Sequence, residues 1–145
     1  MDGPERSRTE STVVTEGVAM SEFNILQRET KDINVLEIKG YLDAHTAPKL
    51  EDAFQALLKS SRYKIVVNCK ELSYISSAGL GVFMAFVEDV RKNKGDIKLS
   101  NMSPKVFNIF DLLGFPLLYD ILADEGEAIS RFLDSKTTLP GNAKK

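Results

Sequence analysis

Hydrophobic and polar positions partly alternate along two runs near the start of the chain, residues 23–30 and 33–42, which Lys31-Asp32 separates. This pattern indicates two strands, and the short polar connection indicates a β-hairpin. After Thr46, which can cap a helix, the apolar residues recur at helical spacing, and Pro48 falls in the first turn, where its missing N–H costs little. The apolar positions of this predicted helix are Ala47, Leu50, Phe54, Leu57 and Leu58.

The middle of the chain repeats the change from strand to helix. Ile65-Val66-Val67 is a short β-branched run, which predicts a buried strand. Residues 72–74 predict a loop that leads to Ser76-Ser77. A second helix is predicted to begin there and to end near Asn93.

The last third of the chain contains one more predicted strand and two more helices. Residues 96–100 alternate as a short strand, and Ser103-Pro104 is typical of a helix start. Gly114 ends that helix, and residues 124–133 predict a final one. The order ββαβαβαα therefore predicts an α/β fold in one domain, with a mixed β-sheet and about four helices.

Both ends of the chain lack this periodicity. Residues 1–21 are rich in Ser, Thr and Glu, and they predict a disordered N-terminal arm. Residues 137–145 predict a flexible C-terminal tail. The folded domain is thus expected to span residues 22–136.

Composition excludes several classes of function. No window of the 145 residues has about eighteen consecutive apolar positions, and the polar start is unlike a secretory signal, so we expect a cytoplasmic protein without a membrane partner. The net charge of −2 argues against nucleic acid as a partner. With one Cys and one His, the chain cannot assemble a multi-cysteine metal site or a nucleophile–base set. We therefore expect no metal, no cofactor and no catalytic activity of its own.

The predicted second helix separates into two faces at about 100° per residue. One face is apolar and is expected to face the core: Leu80, Phe83, Met84, Val87 and Val90. A separate flank, which we call the Ser77 ridge, consists of Ser77, Gly81, Ala85 and Glu88. Gly79 and Gly81 in the first turns cost about 1 kcal/mol each relative to alanine, which indicates that another group closely approaches the backbone there.

A serine at a helix N-terminus has two interpretations. Free N–H groups and the helix dipole favour an anion there, so a phosphate on Ser77 would be tolerated by the fold. It would also place about −1.5 to −2 charges on a ridge that is shallow enough for a partner. Ser-Ser before a helix is, however, most often an ordinary helix cap, and the local pattern alone favours that interpretation. The local pattern leaves both open.

Three segments together resemble the STAS domain, and within that family the anti-sigma factor antagonists. They are GYLDAHTA at residues 40–47, IVVN at 65–68 and SYISSAGLG at 73–81, and the likeness extends over about residues 23–133. The resemblance implies that Ser77 is phosphorylated. It implies a partner-binding surface of Asp43, Ser76, Ser77, Ala78, Gly81, Ala85 and Glu88.

The resemblance also implies the partners. The unphosphorylated domain would sequester a serine kinase that is also an anti-sigma factor, and a serine phosphatase would restore the domain after phosphorylation. Many antagonists have Asp immediately before the acceptor, where this chain has Ser76. Because Ser76 lies about 100° from Ser77, on the core side, Ser77 is the predicted acceptor. As a bare residue Asp43 is typical of a turn former or cap, whereas the resemblance implies a docking role, and the two interpretations have about equal weight.

Two other functions stay open from the sequence. The chain could be a STAS subunit of a lipid-transport or stress-sensing complex, in which the serine is only a cap. It could also be a small nucleotide-binding α/β protein. Gly79-x-Gly81 is a poor dinucleotide loop, because the third glycine would be position 84, which is Met.

Overall fold

A computed structural model of the chain describes residues 23–134. The predicted arm, tail and outer limits of the domain lie outside these residues and stay predictions. In chain order the helices and strands are β1 (Asn24–Thr30), β2 (Ile33–Leu42), α1 (Ala47–Lys59), β3 (Lys64–Ile75), α2 (Ser77–Lys92), β4 (Asp96–Ser100), α3 (Pro104–Leu112), β5 (Ile121–Leu122) and α4 (Glu125–Asp134).

The strands form one mixed sheet in the order β1-β2-β3-β4-β5. The hairpin strands β1 and β2 are antiparallel, and each later pair is parallel. This confirms the predicted α/β fold with its mixed sheet and helices. The short strand β5 and the 3-10 turn at Phe115–Leu117 were not predicted, because two or three residues are too few to establish a period.

Helices cover the two faces of the sheet unequally. Right-handed crossovers between successive parallel strands place α1, α2 and α3 on one face. The buried rings of Phe54, Phe83 and Phe110 join these helices, with centroid separations of 5.9 and 6.0 Å. On the other face α4 packs Phe132 in a smaller cluster with Val66 of β3.

Strand β3 is longer than predicted. Residues 72–74, predicted as a loop, are part of the strand, and Tyr74 pairs with Tyr41 of β2. The register between β2 and β3 shifts between Glu37 and Lys39 and again between Gly40 and Tyr41. Such irregularities break the strict alternation of side chains, which is why the sequence pattern does not extend the strand that far.

The buried face of α2 is also rotated from the prediction. Met84, predicted in the core, is 48% exposed, and Val87 is only half-buried. Val82 and Phe86, which flank the predicted face, are buried as well, because α1 packs against that side and the ring centroids of Phe54 and Phe86 lie 5.4 Å apart. The helical spacing of about 100° per residue identified an apolar stripe on α2, but the position of α1 decides which residues lie at the centre of the buried face.

Candidate phosphorylation and docking site

Helix α2 begins at the edge of the sheet where the parallel strands β2, β3 and β4 have their carboxyl ends. The main-chain N–H of Ser76 donates to the carbonyl of Leu42 at 2.9 Å, which joins the ends of β3 and β2. The carbonyl of Ser76 then accepts the first helical bond, from Leu80 at 3.0 Å. Ser77 is the first residue of the helix and is exposed.

The two glycines of the first turns have different surroundings. A Cβ on Gly79 would lie 2.7 Å from Cγ of Leu42 and 3.0 Å from Cγ1 of Ile75. At Gly79 the expected close approach to the backbone is therefore made by the protein's own core. A Cβ on Gly81 would meet nothing within 4 Å in the described part of the chain. The backbone of α2 is therefore uncovered at Gly81, with room for a side chain or for a partner.

The Ser77 ridge faces solvent along its whole length. All four of its members are exposed, as is Ala78 beside Ser77. Met84 follows Ser77 by seven residues, so it lies on the same side of the helix two turns on. The surface thus presents a hydroxyl, bare backbone, a methyl and a thioether before the carboxylate of Glu88.

The N-terminus of α2 lacks the side-chain cap that the ordinary interpretation of its serines requires. Ser76 is the N-cap residue but makes no capping hydrogen bond, and its buried Oγ has no hydrogen-bond partner within residues 23–134. Ser103 behaves differently, since its Oγ accepts from the N–H of Val106 at 3.2 Å and caps α3. The dipole of α2 therefore acts at Ser77 without a capping side chain.

Asp43 forms the turn that follows β2. Its Oδ1 accepts from the N–H groups of His45 at 3.0 Å and Thr46 at 3.2 Å. Thr46 Oγ1 in turn donates to the carbonyl of Tyr41 at 2.7 Å. These bonds confirm the turn-forming role and place the Asp43 turn next to Leu42, at the same edge as Ser77. A docking role for Asp43 stays a prediction.

Cys69, the one cysteine of the sequence, is a packing residue of the core. Cys69 is buried, and burial raises the pKa of its thiol to about 12, so it packs as a neutral side chain.

In the part of the chain that the structure describes, no three His, Cys, Asp or Glu residues are arranged to hold a metal ion. None of the helices within residues 23–134 has the length and apolar character needed to cross a bilayer.

An aromatic pair that the sequence pattern did not predict lies at this edge. Tyr41 and Tyr74 are cross-strand neighbours whose ring centroids lie 5.7 Å apart, and each residue is 39% exposed. The exposure of each tyrosine could have been predicted, since each directly precedes a core residue, Leu42 or Ile75, and neighbouring residues of a strand point to opposite faces. The pairing itself depends on the register shift between β2 and β3, which one strand alone does not reveal.

The chain is similar in sequence to a known domain family and to named proteins of that family. The family model of the STAS domain matches residues 24–128. The anti-sigma-B factor antagonist of Listeria monocytogenes is 30% identical over 105 residues, covering 72% of this chain and 91% of that protein. The protein of the same name from Bacillus subtilis is 33% identical over 98 residues, covering 68% and 88%.

A solved structure agrees with these relatives. The anti-sigma factor antagonist SpoIIAA in its unphosphorylated form superposes with a TM-score of 0.66 and 25% identity. The superposition covers 76% of this chain and 96% of SpoIIAA. The likeness therefore includes nearly the whole of each relative, and it contains the edge where Ser77 lies.

Proposed function

Since this chain belongs to the STAS domain family, we propose that it is an anti-sigma factor antagonist switched by phosphorylation of Ser77. In the unphosphorylated state it binds a serine kinase that is also an anti-sigma factor. Phosphate on Ser77 ends this binding, and a serine phosphatase restores it. The domain is a cytoplasmic substrate of these enzymes and has no catalytic role.

One observation carries the proposal. Ser77 is an exposed hydroxyl in the first turn of a helix whose N-terminus has no side-chain cap, and open backbone follows at Gly81. The helix dipole and free N–H groups stabilise an anion there, so phosphorylation leaves the domain folded. The same anion, of about −1.5 to −2 charges, would have to be desolvated beneath a partner, at a cost of several kcal/mol. Binding is therefore lost while folding is kept.

The names of the relatives support this function. Two of them are anti-sigma-B factor antagonists, and the similar structure of SpoIIAA is that of an unphosphorylated form. The alternative of a STAS subunit in which the serine is only a cap lacks support from the hydrogen bonds, because Ser76 makes no capping bond.

The test is phosphorylation with defined enzymes. Each anti-sigma factor kinase encoded in the genome of origin is purified and incubated individually with the full chain and ATP. Peptide mapping by mass spectrometry is expected to find one phosphate, on Ser77, with one of these kinases. Ser77→Ala should abolish the modification. The matched variant Ser76→Ala removes the neighbouring hydroxyl and should leave it intact. Phosphate on Ser76, or phosphate that persists in Ser77→Ala, would contradict the assignment.

A further inference from the structure

The exposed pair Tyr41–Tyr74 lies at the carboxyl edge of the sheet. Leu42 and Ile75, the residues that follow each tyrosine, are buried against the helices. Because side chains alternate along a strand, the two rings lie on the opposite face from α2, at the last positions before the strands end. Large exposed apolar side chains therefore stand directly at the edge that carries Ser77.

The distance between the pair and Ser77 is limited by the chain itself. Tyr74 precedes Ser77 by three residues, so their Cα atoms are separated by at most about 11 Å. Tyr41 precedes Leu42, whose carbonyl accepts from Ser76 N–H at 2.9 Å. Both rings and the hydroxyl are thus held at one edge by the same backbone contact.

We propose that Tyr41 and Tyr74 form the apolar anchor to which the anti-sigma factor kinase binds. This inference rests on the proposed function, because a kinase that phosphorylates Ser77 must contact its hydroxyl. A standard interface buries about 800 Å² on each partner, equivalent to a disc of about 16 Å radius. A footprint of this radius centred on Ser77 is wide enough to include both rings, which lie across the same edge of the sheet.

The Ser77 ridge and the tyrosine pair contribute differently to binding the kinase. The Ser77 ridge supplies a hydroxyl, bare backbone, one methyl and a carboxylate, and Met84 beside it adds one partly exposed thioether, so this surface has little apolar area to bury. Tyrosines are enriched among the residues that dominate binding energy, since each buries a large rigid ring and keeps a polar end. The pair supplies affinity, and the charge state of Ser77 decides whether that affinity can be used.

The test uses the full chain with Tyr74→Thr and Tyr41→Thr, because threonine keeps the β-propensity of each strand. The control is Leu117→Ala, which shortens a side chain that is 90% exposed. This residue lies far from Ser77. The carbonyl of its neighbour Leu118 accepts a hydrogen bond from Arg91, and the Cα atom of Arg91 lies about 21 Å along α2 from that of Ser77. Titration with the individually purified anti-sigma factor kinases measures binding. Thermal melts verify folding, and analytical ultracentrifugation measures self-association.

Each tyrosine variant is expected to bind the kinase at least about tenfold more weakly. At saturating kinase, Ser77 should still accept phosphate in both variants, and Leu117→Ala should bind like the unaltered chain. Equal binding by folded tyrosine variants, or equal weakening by Leu117→Ala, overturns the anchor and leaves the proposed function standing. Loss of self-association with kinase binding unchanged also overturns it, in favour of a second copy of this chain. If no kinase binds or phosphorylates the unaltered chain, the proposed function fails, and the anchor with it.

Discussion

A Cβ atom added to Gly79 would lie 2.7 Å from Cγ of Leu42, closer than packed carbon atoms approach. Leu42 is fully buried at the end of β2 and cannot move away cheaply. The absence of a side chain at Gly79 therefore lets the first turn of α2 sit directly on the sheet. This contact helps to fix where Ser77 stands at the carboxyl edge.

The two glycines of α2 predict opposite effects of the same substitution. Gly81→Ala should raise the free energy of unfolding by up to about 1 kcal/mol, since alanine improves helix propensity and its Cβ enters open space. Gly79→Ala gains the same propensity but forces an overpacked core, which typically costs about 1–3 kcal/mol. Denaturant unfolding of both variants is the measurement. A Gly79→Ala protein as stable as Gly81→Ala would refute the close contact.

The sequence predicted most of the fold because most elements keep one period over their length. The Ser77 ridge was predicted correctly as an exposed flank, since small and polar residues recur there at helical spacing. Met84 was misplaced because a helical wheel fixes relative directions and says nothing about where α1 packs. Tyr74 was assigned to a loop because the register shift between β2 and β3 interrupts the alternation.

A polar contact between distant parts of the chain was also beyond the sequence pattern. Glu125, the first residue of α4, accepts from Arg28 of β1 at 2.9 and 3.0 Å and from Asn68 of β3 at 2.9 Å. Arg28 and Glu125 are 97 residues apart, so no local period connects them. The hydrogen bond from Arg28 lowers the pKa of the Glu125 carboxyl. The ionised side chain therefore helps to hold α4 on the sheet.

Glu125→Gln should lower the free energy of unfolding by about 1–2 kcal/mol at pH 7, the low end for hydrogen bonds to charged groups, because the Arg28 side chain is 42% exposed. Because the pKa is lower in the folded state, this contribution is present above the unfolded pKa of about 4.3. It is lost as the pH falls through the lowered folded pKa, so the variant and the parent should converge in acid. Urea unfolding at neutral and acidic pH measures the difference. Glu127→Gln removes an exposed carboxylate from the same turn, whose interaction with the helix N-terminus is worth about 0.3–1 kcal/mol, so it should cost less at pH 7 than Glu125→Gln.

Ser77→Asp should weaken kinase binding without unfolding the domain. A carboxylate at this position interacts favourably with the helix N-terminus, by about 0.3–1 kcal/mol, so the thermal melt should be preserved. Covering the same charge with a partner costs several kcal/mol, which corresponds to at least about a hundredfold loss of affinity. A binding titration and a melt on the same preparation separate the two effects.

Ser130→Asp is the matched control for this charge. Ser130 is exposed on α4, whose Phe132 packs with Val66, and Val66 lies eight residues before Tyr74 in β3, about 26 Å along the strand from the edge that carries Ser77. The substitution adds the same charge to the protein and should leave kinase binding unchanged. If Ser130→Asp weakened binding as much as Ser77→Asp, net charge would explain the loss, and the position of Ser77 would not.

Gly81→Leu should weaken kinase binding by shape alone. The added side chain extends into open space beside Ser77, so the domain should stay folded and gain up to about 1 kcal/mol from improved helix propensity. Any loss of affinity must then come from the filled position on the ridge, since no charge changes. Gly126→Leu makes the same change in α4, next to Glu125, whose partner Asn68 lies about 20 Å along β3 from Tyr74, and it should leave binding intact. The measurements are a thermal melt and a kinase titration for each variant. If Gly81→Leu and Ser77→Asp both bind the kinase as tightly as the unaltered chain, α2 is not the docking surface, and the switch proposed for Ser77 is wrong even though the fold is right.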